Sequence, residues 1–292
     1  MEIAPTYAER VDITKYIKHD GLWRFAPVAK RASGSVHWDH VLVNGASAHH
    51  PEGKYFIEWR EDGARRRRSV GTIPSEILAE AQRQRALLDA KTMPYILGGD
   101  HAITMATIAA YSNEKPVHIV HLDAHFDFID ERNGITWGHG SPMRRASEMA
   151  HVKGITTLGP HNMASVSKRD YEAAKAYGTH VVPLRKFRAI GAKAALAHIP
   201  DGERVYVSID IDSFDPSIAP GTATISHGGF TYYEAKDLLR EVARRFEVVG
   251  ADFVEVSPPY DPSGITALLA ARTSLDFIGS IFHERAKRRR QS

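Results

Sequence analysis

The stretch HLDAHFDFID, residues 121–130, sets Asp123, His125 and Asp127 two residues apart directly behind the run His118-Ile119-Val120. Strand side chains alternate faces, so these three groups project together where a strand gives way to its loop. Asp210 and Asp212 in VSIDIDSFDP repeat the spacing after a second apolar run, and His101 follows Gly98-Gly99-Asp100 after a third. Four carboxylates gathered without cations would repel one another and lose hydration, and bound metal ions remove both penalties. The chain has no cysteine, so thiolate nucleophiles, disulfides and Cys-ligated metal sites are excluded, and a metal has only His, Asp and Glu to bind. Six side chains are more than one ion needs beside an open position, whereas two ions sharing carboxylates use them all. Four carboxylates and two imidazoles suit two Mn²⁺, with Ni²⁺ or another divalent ion as a substitute. Two such ions lower the pKa of a shared water toward neutrality, so the implied chemistry is hydrolysis.

The elements that must position these groups alternate from about residue 93 onward. The runs at 93–99, 116–125, 154–159, 180–184, 204–212 and 248–257 are short and rich in Val and Ile, as buried strands are. Between them, 103–112, 165–178, 193–199 and 231–246 carry apolar residues at helical spacing. The pattern predicts an α/β domain, residues 92–292, with a mostly parallel central sheet covered by helices on both faces. Such sheets place their sites beyond the carboxyl ends of the strands. Residues 1–91 form an atypical N-terminal segment: 54–71 reads as a hairpin about Asp62-Gly63, and 74–90 as an amphipathic helix opened by Pro74 and Ser75. The C-terminal HERAKRRRQS reads as the frayed end of the last helix.

Composition narrows the partners. The net charge of +3 is concentrated in Arg65–Arg68 and Lys287–Arg290, which read as solvated surface. No stretch approaches the ~18 consecutive apolar residues of a membrane span, and the N-terminus lacks the layout of a secretory signal, so a cytoplasmic protein with no membrane partner is expected.

GGDHAIT (98–104), LDAHFDF (122–128), GHGSPMRRA (138–146), SIDIDSFDPSIAPGT (208–222) and DFVEVSPPYDPSGITALLAAR (252–272) resemble the signature blocks of the arginase/agmatinase (ureohydrolase) family, in the same order and spacing. The resemblance covers roughly residues 93–285 and points to the agmatinase-like branch. It implies a three-layer α/β/α fold and a binuclear manganese centre that hydrolyses a small guanidino compound, agmatine or a guanidino acid, to urea and an amine. It further implies that His101, Asp123, Asp127 and Asp210 hold one ion and His125, Asp123, Asp210 and Asp212 the other, with Asp123 and Asp210 bridging. His139 matches the proton-handling His, Glu255 the Glu that grips the guanidinium, and Asp127 also meets the nucleophile. A homo-oligomer, trimer or hexamer, follows by the same analogy.

Some positions depart from the family pattern. Ala102 stands where Ser is common, and Phe126 where Thr is frequent, as in formimidoylglutamase-like members that hydrolyse a formimino group. Ile129 replaces the Asn with which arginases recognise the amino-acid end of arginine, which ranks arginase activity low. GTATISHGG (221–229) replaces the GTGTP block and is expected to put His227 near the pocket mouth. The usual N-terminal strand and Gly-Val-Pro turn are not found in residues 1–91. The alternatives are therefore a formimidoylglutamase-like hydrolase, or a degenerate ureohydrolase that binds nucleic acid or another subunit through its basic N-terminal hairpin. Six intact ligands argue against the second, and nucleic acid is not the expected partner.

Overall fold

The computed structural model describes residues 11–30, 36–50, 54–61, 64–71, 81, 85, 88, 92–132, 135–162 and 166–291. The chain divides into two compact units, Met1–Leu78 and Ala79–Ser292.

The first unit is a β-structure that the sequence reading recognised only at its end. Strands β1 (Val11–His19), β2 (Leu22–Lys30), β3 (Val36–Val43), β4 (Ala46–His49), β5 (Lys54–Glu61) and β6 (Ala64–Gly71) form one antiparallel sheet in the order β4-β3-β2-β1-β5-β6. Asp20-Gly21 and Asn44-Gly45 close β1–β2 and β3–β4 with positive φ at both residues, the mirror-image turn whose twist suits a two-residue hairpin. Ile17, Ala26, Val41 and Val43 make its small core, and the buried Lys15 ammonium donates to the His50 carbonyl. The hairpin expected over 54–71 is β5–β6, whose turn at 62–63 lies outside the described residues. Of the helix expected over 74–90, only Ala81, Arg85 and Leu88 are described, and all three are helical.

The second unit runs β7 (Tyr95–Leu97), α1 (Ile103–Ala110), β8 (Val117–Leu122), α2 (Pro142–Ser147), β9 (Val152–Leu158), α3 (Lys168–Tyr177), β10 (His180–Val182), α4 (Leu184–Ala195), β11 (Arg204–Asp210), α5 (Tyr232–Arg245), β12 (Glu247–Val254) and α6 (Ile265–Gln291). Its six strands are all parallel, in the order β10-β9-β8-β11-β12-β7. Adjacent residues of β8 enter opposite cores: Val120 and Leu122 pack with α4, α5 and α6, while Val117 and Ile119 pack with Ile108, Met143 and Ala174 of α1, α2 and α3. The result is a three-layer α/β/α sandwich. From β8 the chain moves outward to β9 and β10, and from β11 in the other direction to β12, so the crevice between β8 and β11 is the switch point where such sheets bind ligands.

Two expectations change here. The helix expected over 193–199 instead begins at Leu184, because β10 ends at Val182 and Leu184 and Phe187 bury one turn of α4; Gly191, at φ 76°, interrupts it and the helix stops at Ala195. The C-terminal basic run is also not frayed. Helix α6 continues to Gln291, and Arg288 Nη2 donates to the carbonyls of Ala243, Arg244 and Phe246 at 2.9–3.0 Å, capping the end of α5. Among the described residues α6 is the one helix long and apolar enough to cross a membrane, but it packs Ala270, Phe277 and Ile281 into the core. Arg288→Ala should remove about 1–2 kcal/mol and lower Tm by about 3–6 °C, while the exposed Lys287→Ala changes it little. Equal melting curves for the two variants would contradict the capping role.

Candidate metal centre

The expected site residues come from the carboxyl ends of four strands. Asp123, His125 and Asp127 follow β8, Asp210 ends β11 with Asp212 just beyond it, His101 precedes α1 after β7, and Glu255 follows β12. His101, Asp123, Asp210 and Asp212 are almost wholly buried. Asp127 and Glu255 hold left-handed backbones, φ 48° and 64°, which cost a non-glycine residue about 1–2 kcal/mol. Both are tied in place: the Asp127 carbonyl accepts the Met143 and Arg144 amides at the start of α2, and the Glu255 amide donates to the Gly99 carbonyl.

The side chains converge in two groups. His101 Nδ1 lies 3.0 Å from Asp127 Oδ2, 3.0 Å from Asp210 Oδ2 and 3.4 Å from Asp123 Oδ2. His125 Nδ1 lies 3.0 Å from Asp212 Oδ2 and 3.2 Å from Asp123 Oδ1. His101, His121, Asp123 and Asp127 present donor atoms within 4.8 Å of one another, as do Asp123, His125 and Asp212, so Asp123 belongs to both groups. Backbone amides fix the carboxylates: His125 N donates to Asp123 Oδ1 at 2.6 Å, Asp212 N to Asp210 Oδ1 at 2.8 Å and Ala124 N to Asp212 Oδ1 at 3.2 Å. Hard oxygens and imidazole nitrogens in this ratio fit two borderline-hard divalent cations. Glu255 Oε1 accepts the His101 amide at 2.6 Å, and its carboxylate lines the same pocket as His101, His125, Asp127, His139 and Thr224.

In the protein without cations these contacts are held by protons. Burial opposes charge on the His125 imidazole, but bonds to Asp123 and Asp212 raise it to about 11; His101 is likewise raised, against its burial, by Asp127 and Asp210. Burial raises the Asp210 and Asp127 carboxyls, helped by neighbouring carboxylates, whereas Asp123 is held well below the usual range, against its burial, chiefly by His121. Cations must displace such protons, so Mn²⁺ binding at neutral pH should release protons and tighten as pH rises. Calorimetry in buffers of different ionisation enthalpy measures this, and net proton uptake would contradict it. A folded-state pKa raised above the unfolded value of about 6.5 gives His125 a stabilising effect that is complete below that pH and lost as pH rises toward 11. The metal-free protein should therefore melt at falling temperature across that window, and the raised carboxyls act in the same direction.

The proton-handling candidate, His139, lies apart from the ligand groups. It lines the pocket with a side chain 60% exposed, its Nδ1 is 3.5 Å from Asp100 Oδ2, and the bond to Asp100 raises its pKa. His227 does not line the pocket as expected: it is exposed, in a loop that turns at Gly228 with φ 89°, where the Gly228 amide donates to Asp215. From the same loop, Thr224 instead reaches the site, its hydroxyl donating to Asp212 Oδ2 at 2.9 Å. Phe126 and Ile129 are buried, Phe126 edge-on to Tyr171 and Ile129 against Gly140, where a Cβ would fall 2.7 Å from its Cδ1.

Sequence reasoning overlooked His121, whose Nε2 lies 2.8 Å from Asp123 Oδ2 and whose Nδ1 lies 3.3 Å from Thr157 Oγ1. Its spacing of two residues before Asp123 was the available signal.

Comparison with known proteins agrees with this geometry. The family model described as "Arginase family" matches residues 63–279. The chain is 38% identical over 194 residues to guanidinopropionase of Pseudomonas aeruginosa, spanning 65% of this chain and 61% of the relative. It is 36% identical to agmatinase of Bacillus subtilis over 64% of this chain and 63% of the relative. The matched stretch is thus less than two thirds of each relative's length. Proclavaminate amidinohydrolase of Streptomyces clavuligerus is similar over more of the chain, 30% identical across 89% of it and 84% of the relative. The solved structure of that protein superposes with a TM-score of 0.64 at 31% identity, covering 71% of this chain and 70% of the other. The chain belongs to the arginase family, in its agmatinase-like branch.

Proposed function

We propose that the protein hydrolyses a small guanidino compound, agmatine or a guanidino acid, to urea and an amine, using two divalent cations, Mn²⁺ foremost. The observation that carries this reading is the pair of ligand groups sharing Asp123 in a pocket that also holds the Glu255 carboxylate. His101, Asp123, Asp127 and Asp210 would hold one ion, and His125, Asp123, Asp210 and Asp212 the other. When bound, the ions lower the pKa of water and so supply a nucleophile at neutral pH.

The protein's own groups do the rest. With Glu255 Oε1 fixed by the His101 amide, its carboxylate presents negative charge to a planar guanidinium and orients the central carbon toward the ligand cluster. Asp127, on the same pocket wall, accepts a proton from the attacking group. His139, exposed at the pocket and polarised by Asp100, delivers a proton to the departing amine nitrogen. Protonation of that nitrogen turns a poor leaving group into a neutral amine as the carbon–nitrogen bond breaks. Thr224 keeps Asp212 from rotating out of the ligand set.

A homo-oligomer, trimer or hexamer, is part of the proposal by family analogy and is read directly by light scattering. The activity test is urea release by Mn²⁺-loaded protein across agmatine, guanidinobutyrate, guanidinopropionate and arginine, with Ni²⁺-loaded and metal-free controls. Release from one guanidino compound, dependent on metal, supports the reading. Two bound ions without urea from any of them would refute it, and formamide from formiminoglutamate would move the assignment to formimino substrates.

A further inference from the structure

Asp252 is a fully buried carboxylate that the mechanism above does not use. Asp252 sits inside β12 with no exposure, and it stands opposite Ser208 of β11 in the strand register. Three hydroxyls donate to it: Ser208 Oγ to Oδ1 at 2.7 Å, and Tyr206 Oη and Thr104 Oγ1 to Oδ2 at 2.7 and 2.8 Å. Ser208 Oγ also lies 2.9 Å from His101 Nε2. Tyr206, Ser208 and Asp210 alternate along one face of β11, so a single strand face carries two of the hydroxyls on Asp252 and a candidate ligand in ascending order toward the pocket.

A serine hydroxyl has one proton. Ser208 commits it to Asp252, which leaves a lone pair facing His101 Nε2, so that nitrogen must carry the proton of the bond between them. The ring's other nitrogen, Nδ1, then points at Asp127 and Asp210 with its lone pair available to a cation. Among the described residues His125 has no such arrangement: its ring contacts are those of Nδ1 to Asp123 and Asp212, and its side chain lines the pocket. The two ligand groups are thus braced unequally.

We propose that Asp252, acting through Ser208, is the positioning residue that locks His101 in the ring orientation and tautomer needed to bind a cation through Nδ1. The proposal rests on the binuclear reading above and deepens it by assigning a residue that acts on one of the two ions only. Partners on the second nitrogen of a ligating histidine typically change metal affinity by about 10–100-fold.

The test is Mn²⁺ titration of the metal-free full chain by calorimetry, with metal content after gel filtration and a melting curve for every variant. Ser208→Ala and Asp252→Asn should weaken one of the two Mn²⁺ equivalents by about 10–100-fold and leave the other within about threefold. Tyr206→Phe removes a hydroxyl from the same carboxylate without touching His101 or Ser208, and should leave both equivalents within about threefold, well short of that loss. A general packing defect would move Tyr206→Phe and Ser208→Ala together, and that result overturns the proposal. So does a wild-type protein with two Mn²⁺ equivalents that Ser208→Ala leaves unchanged. If Asp252→Asn fails to fold, the comparison of Ser208→Ala with Tyr206→Phe still decides. A wild-type protein that takes up no Mn²⁺ overturns the binuclear reading itself, and with it this assignment.

Discussion

Asp123→Asn is expected to abolish activity and retention of both cations together. Asp123 is common to the two groups of converging side chains. Its Oδ1 accepts the His125 amide while its Oδ2 meets ring nitrogens of His121 and His101, so an amide nitrogen at the first position sets a donor against a donor and at the second replaces an oxygen of the ligand cluster. The substitution also removes one of the charges that offset the cations. A ligand present at about 100 times its Kd stabilises the folded state by about 2.7 kcal/mol, which for a unit of this size raises Tm by about 5–10 °C. The wild-type protein should show such a rise with Mn²⁺ and Asp123→Asn should not, with kcat/KM at least about 10³-fold lower, equivalent to about 4 kcal/mol. Turnover retained in the variant, or one tightly held ion, would refute the sharing of Asp123.

Glu255→Gln separates binding of the substrate from binding of the cations. Glutamine keeps an oxygen to accept the His101 amide, so the strained turn at residue 255 retains its tie. What it loses is the charge, and with it a charge-assisted grip on a guanidinium, worth about 3–4 kcal/mol in a site of restricted water. The expected result is a fall of about 10²–10³ in kcat/KM with metal content unchanged. Loss of metal would instead place Glu255 among the ligands.

The candidate ligands were legible because their chemistry is local. Asp123, His125 and Asp127, like Asp210 and Asp212, share a strand end, and the period-two rule puts each set together without knowledge of the fold. His121 obeys the same rule but lies inside β8, where a residue flanked by Val120 and Leu122 looks like strand core rather than site. The N-terminal sheet was less legible for another reason. Asp20-Gly21 and Asn44-Gly45 are strong hairpin signals, but the strands they join, such as VDITKYIKH, mix charged with apolar residues and lack the contrast of a buried strand. Arg288 illustrates the limit for surface charge: a run of cations looks the same in sequence whether it meets water or the exposed carbonyls of another helix.

Residue types and their spacing determined that this chain would build a cysteine-free His/Asp centre on an α/β sheet, because ligand chemistry and strand periodicity act over a few residues. The strand order β10-β9-β8-β11-β12-β7 brought His101 onto Asp210, set Ser208 beside Asp252, turned Thr224 inward and left His227 outside. Those contacts join residues from 12 to 109 positions apart. They depend on which strands become neighbours and where loops turn, and that is decided by packing the two apolar faces of the sheet as a whole.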